Sequence, residues 1–72
     1  MSNKYIINTK TIKDLTEWQS IILAIKGAIE ELKKHPEQEN FYGAFIYTSI
    51  NKLKEEYNIS KDEIFKYRFN FE

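Results

Sequence analysis

The residues in this chain with chemistry to offer are one histidine, several neighbouring carboxylates, the tyrosines, and lysines joined by a single arginine. His35 stands directly before Pro36. A general base needs a nucleophile or an orienting partner within hydrogen-bond reach, and nothing near it in sequence offers one. It reads as an exposed turn residue at a helix end, where positive charge suits the helix dipole. Glu30-Glu31, Glu37 with Glu39, and Glu55-Glu56 look like paired carboxylates. On a helix, however, adjacent side chains point about 100° apart and do not converge on a substrate. Cysteine is absent, which removes disulfides, thiolate metal sites and thiol nucleophiles together. Gly27 and Gly43 are the two glycines, and both fall in helical patterns, so there is no phosphate-cradling loop. The expectation is a protein with no catalytic residue, no metal and no cofactor, and so not an enzyme.

The last third holds the strongest motif. Leu53-Lys54-Glu55-Glu56-Tyr57-Asn58-Ile59-Ser60-Lys61-Asp62-Glu63-Ile64-Phe65-Lys66-Tyr67 resembles the helix-turn-helix of bacterial DNA-binding proteins. Asn58 stands at the bend, Ile59 at the buried apolar position, and Ser60 at the cap of the recognition helix. The resemblance implies that Lys61, Lys66 and Arg68 face DNA, within a segment of residues 53 to 68. It departs at Lys54, where the motif places a small residue. Asp62 and Glu63 also put negative charge where phosphate and base edges would lie.

The charges balance, eleven basic against eleven acidic, so no global field holds a polyanion. Arg68 is the lone arginine, and arginine is the side chain that forks onto phosphate and guanine. The longest apolar run, residues 21 to 25, is far below the ~18 residues of a membrane span. A cytoplasmic protein without membrane contact is expected. The richness in Ile, Lys, Asn, Glu and Tyr suits an AT-rich genome, such as that of a low-GC bacterium or its phage.

Positioning falls to two amphipathic helices. Leu15, Trp18, Ile22, Ile25, Ile29 and Leu32 alternate spacings of three and four, with Ile21 and Ala28 widening the stripe. They predict a helix from about Asp14 to Lys34. It is opened by a capping box at Asp14/Glu17 or Thr16/Gln19. Pro36 ends it and opens a second helix, about Glu37 to Tyr57. The apolar face there is Phe41, Phe45, Ile46, Ile50, Leu53 and Tyr57. So short a connection makes the helices antiparallel. Gly43 suggests a close approach to Ala24 or Ala28. Asn58 suits a left-handed helix end, and Ser60 with Glu63 forms a capping box, stapled by Ile59 and Ile64, that opens a short helical turn before the last strand.

Short strands flank the hairpin. In residues 4 to 10, Tyr5, Ile7 and Thr9 share one face, and Lys4, Ile6, Asn8 and Lys10 share the other. At the C-terminus Phe65, Tyr67, Phe69 and Phe71 alternate with Lys66, Arg68, Asn70 and Glu72, the pattern of a strand with one aromatic face. A third helix from Ser60 onward is the rival reading. Counting reversals makes the two strands antiparallel.

The fold expectation is therefore one small α+β domain over residues 1 to 72, ordered β-α-α-β, with an all-α three-helix domain as the alternative. A chain this short buries only about 60% of its unfolded surface, and self-association is the remedy left once disulfides and metals are gone. The functional expectation is a small non-enzymatic protein-binding module of inhibitor, accessory or immunity type, homodimeric and engaging a further protein. Leu23, Ile6, Lys66 and Arg68 are its candidate contact residues. The alternative is a DNA-binding regulator using Lys61, Lys66 and Arg68.

Overall fold

The computed structural model describes residues 4–71. Strand β1 (Ile6–Thr9) leads through a 3-10 turn (Ile12–Asp14) into helix α1 (Glu17–Lys34). A second 3-10 turn (Pro36–Gln38) opens helix α2 (Glu39–Tyr57). The one-turn helix α3 (Lys61–Ile64) and strand β2 (Arg68–Phe71) complete the order. The C-terminal segment is a strand, so the three-helix alternative does not hold. Glu72 lies outside the described residues.

Local chemistry explains the boundaries. Of the two candidate boxes at the start of α1, Thr16/Gln19 forms, with the Thr16 N–H donating to Gln19 Oε1 at 3.1 Å. Asp14 is held instead in the preceding turn, where its carboxylate accepts from the Thr11 hydroxyl at 3.3 Å. The helix therefore starts three residues later than the sequence suggests. Pro36 takes the first position of the second turn, where its missing N–H had no partner to lose. Asn58 ends α2 at φ 56°, ψ 37°, a left-handed conformation that asparagine tolerates. Ser60 accepts from the Glu63 N–H at 3.2 Å while Glu63 reaches back to the Ser60 N–H at 3.2 Å.

α1 and α2 form the antiparallel hairpin. The Glu17 carboxylate, at the start of α1, accepts from the Tyr57 hydroxyl and lies 3.9 Å from Lys52 Nζ, both near the end of α2. Ile22, Ile25, Leu53 and Ile64 are fully buried. Trp18, Ile29, Ile46, Ile50, Tyr57 and Phe69 are among the side chains packed around them.

The strands pair parallel, with Ile6 opposite Arg68 and Thr9 opposite Phe71, which corrects the antiparallel expectation. α3 supplies the reason. It is a third helical element between the strands, and its extra reversal returns the chain to its starting direction. The face assignment of β1 holds: Ile7 and Thr9 are buried, and Ile6 and Asn8 are exposed. The buried Thr9 hydroxyl donates to the Thr11 carbonyl at 2.7 Å.

Three packing expectations are corrected. Phe41 and Phe45 are 69% and 42% exposed rather than core. Seen down α2 they stand about 120° and 80° around the axis from Leu53, too far to share its burial. Gly43 marks no close helix approach, since a Cβ built there or at Gly27 meets nothing within 4 Å. The aromatic row covers the hairpin only through Tyr67 and Phe69, while Phe65 and Phe71 are 41% and 50% exposed. Phe65 closes α3 in a helical conformation and so falls outside the period-two alternation. Phe71, at the far end of β2, stacks on Phe69 at 6.4 Å.

Candidate interaction surfaces

The hairpin has two broad faces. One carries α3 and the sheet: Ile64 fills the core between the helices, and Tyr67 meets Trp18 edge-on at 5.3 Å. On the other side a shallow groove of about 350 Å³ runs between α1 and α2. Ile21 and Ala24 line it from α1, and Phe45 and Thr48 from α2. Phe41, one turn before Phe45, extends the same stripe and is the more exposed of the two rings. The Glu17–Lys52 contact lies at one end and leaves the groove no unbalanced charge there. Nothing among the described residues covers this face.

The four contact residues expected from the sequence lie elsewhere. Ile6 and Arg68 are opposed in the sheet register, both exposed on its outer face. Lys66 precedes them, its ammonium 5.5 Å from the centre of the Tyr5 ring. Lys4 lies 4.9 Å from the same ring. Leu23 is half-buried on α1, one turn before Lys26. Burial, and then the Arg68 charge, pull the Lys26 ammonium below the usual lysine range. Of the three cations named for DNA, Lys66 and Arg68 thus come together. Lys61 lies apart, in a cleft of about 730 Å³ between α2 and α3 that it shares with Tyr47, Lys54 and Asp62. The helix those cations would ride on is a single turn, and Arg68 already belongs to the strand.

The groups with catalytic chemistry remain dispersed. His35 is exposed, with Nδ1 3.4 Å from the Glu37 carboxylate. Glu30 pairs with Lys33 at 3.2 Å, and Glu55 and Glu56 are exposed. Among the described residues no three His, Asp or Glu side chains gather as metal ligands. No helix is long and apolar enough to cross a membrane.

The groove residues Phe45, Ile21 and Ala24, and Phe41 beyond them, were not singled out as contacts by sequence reasoning, which placed both phenylalanines in the core. A helical-wheel drift was the available signal. Ile46, Ile50, Leu53 and Tyr57 define a tighter stripe, and the two rings fall at its margin. Comparison with known proteins adds no name to these surfaces: no family model, curated protein or solved structure matches the chain.

Proposed function

We propose that this chain is a small non-enzymatic protein-binding module, of inhibitor, accessory or immunity type, that pairs with a second copy of itself through the open face of the helical hairpin. The exposure of Phe45 in the groove beside Ile21 and Ala24, with exposed Phe41 one turn further along α2, carries the reading. Two neighbouring exposed rings on one helix face form an apolar patch that a partner's apolar surface could cover. Four fully buried side chains make a thin core for a chain without disulfides, and association is the usual supplement.

Magnitudes favour a modest, concentration-dependent pair. At roughly 200 Å² per ring, the two phenylalanines leave on the order of 200 Å² in water on each copy. Burying that at ~25 cal/mol per Å² contributes about 5 kcal/mol per copy and about 10 for a symmetric pair. Association costs roughly 4–15 kcal/mol. Even at the lowest cost the surplus is about 6 kcal/mol, a Kd of tens of micromolar, so the balance suits at most a weak dimer in which two antiparallel hairpins stack as four helices. Melting followed across about a hundredfold range of concentration tests it, because a folded dimer melts higher as it is concentrated. An invariant midpoint counts against pairing.

The DNA-binding reading keeps one observation. The left-handed Asn58 and the Ser60 cap reproduce the bend of a helix-turn-helix, and Lys66 and Arg68 lie together beyond it.

A further inference from the structure

The strand segments have an uneven share of the charge. The strands and the turns beside them, residues 4 to 11 and 64 to 71, contain Lys4, Lys10, Lys66 and Arg68 and no acid, with Glu63 and Glu72 just outside; the rest of the chain carries seven bases and eleven acids. All four are exposed; Arg68 stands on the outer face of β2, while Lys4, Lys10 and Lys66 lie in the turns just outside the strands. The parallel register concentrates them further. It sets the start of β1 beside the start of β2, with the Arg68 N–H donating to the Tyr5 carbonyl at 2.7 Å. Lys4, Lys66 and Arg68 therefore share one end of the sheet, which antiparallel pairing would have divided. Two of these ammonium groups flank a single ring, that of Tyr5.

Among the described residues no carboxylate forms an ion pair with these three cations. The ion pairs among the described residues lie elsewhere, at Glu30–Lys33, His35–Glu37 and Glu17–Lys52. Glu63, the acid that acts on neighbouring Tyr67, has its carboxylate engaged by the Ser60 N–H and hydroxyl at 3.2 and 3.3 Å.

We propose that the outer face of the sheet docks an acidic polypeptide segment, with Lys4, Lys66 and Arg68 taking its carboxylates and Ile6 its apolar side chain. Charge complementarity identifies the occupant. Ile6, 43% exposed among these cations, offers an apolar contact that a peptide can use and a phosphate backbone cannot. The Tyr5 ring already has the Lys4 and Lys66 ammonium groups within 5.5 Å of its centre and packs edge-on against Tyr67 at 5.0 Å, contacts that a stacking nucleobase would have to displace. The chain's one arginine limits bidentate recognition of phosphate. The open edges of a two-stranded sheet supply main-chain partners for an extended segment. This surface is separate from the hairpin groove, and the proposal stands whether or not the chain pairs with itself.

The test is fluorescence anisotropy at low salt, with a labelled decapeptide alternating Glu and Val and, in parallel, a short random DNA duplex. The peptide is expected to bind more tightly than the duplex. The double variant Lys66→Glu, Arg68→Glu is expected to weaken peptide binding by about tenfold or more. The same charge change at the far end of α1, Lys33→Glu with Lys34→Glu, is expected to weaken it by less than about twofold, because distant charges are screened. Ile6→Ala is expected to weaken the peptide and leave the duplex unchanged. Trp18 fluorescence, sensitive to its packing on Tyr67, verifies that each variant is folded. Absence of peptide binding, equal losses in the two charge variants, or tighter binding of the duplex would overturn the proposal. So would salt-dependent self-association abolished by the Lys66/Arg68 variant, which would assign the face to a second copy.

Discussion

The residues with the most individual character cluster where β2 meets α1. Tyr67 touches both Tyr5 and Trp18. Burial raises its phenol above the ordinary tyrosine range, helped by the negative charge of Glu63 and by Tyr5, while Lys4 opposes the shift. A raised folded pKa in an acid means that the folded state holds the proton more tightly. The resulting stability is fully present below the unfolded pKa near 10 and is lost as pH climbs through the folded value. Lys26 works in the opposite sense, since its lowered pKa favours the fold once it is neutral. The comparison must therefore isolate Tyr67. The stability difference between wild type and Tyr67→Phe, from urea unfolding at a series of pH values, is expected to be constant below about pH 10 and to shrink above it. A difference that stays flat into strong alkali would show that the phenol is not protected.

Among the elements, local rules were legible and long-range geometry was not. The Thr16/Gln19 and Ser60/Glu63 caps, the Pro36 turn and the left-handed Asn58 are each set by residues within four positions, and each could be read from the sequence. The sense of strand pairing depends on how many reversals separate β1 from β2, and the one turn of α3 altered that count. The fates of Phe41 and Phe45 depend on which part of α2 faces α1, and apolar identity alone does not fix that. The candidate contacts fared similarly. The outward placement of Ile6 and Arg68 in the strands was legible from period two, whereas Lys66 lies in the turn before β2, and the groove was hidden inside what looked like a continuous core stripe. Gly43 is a further case, since a mid-helix glycine suggested contact where there is open space. The consequence is testable. Gly27→Ala and Gly43→Ala are each expected to stabilise the protein by roughly 0.5–1 kcal/mol through helix propensity alone. Destabilisation in a denaturant titration would mean that something packs against those backbones.

At the scale of the molecule, a helical hairpin is closed on one side by its own sheet and, among the described residues, left open on the other. The closed side depends on four fully buried side chains, and the open side presents two phenylalanines to solvent. The sheet gathers positive charge while the helices hold the excess of negative charge, so the chain has two chemically distinct surfaces, one apolar and one basic. Pairing through the apolar one would leave the basic one exposed on each copy, available to a further partner. Sedimentation equilibrium of wild type and of Phe41→Lys with Phe45→Lys tests the pairing most directly, because both rings are too exposed for their replacement to empty the core. The account predicts twice the 8.7 kDa chain mass for wild type at high micromolar concentration and the single-chain mass for the folded variant. A wild-type protein that stays at 8.7 kDa across that range would contradict it.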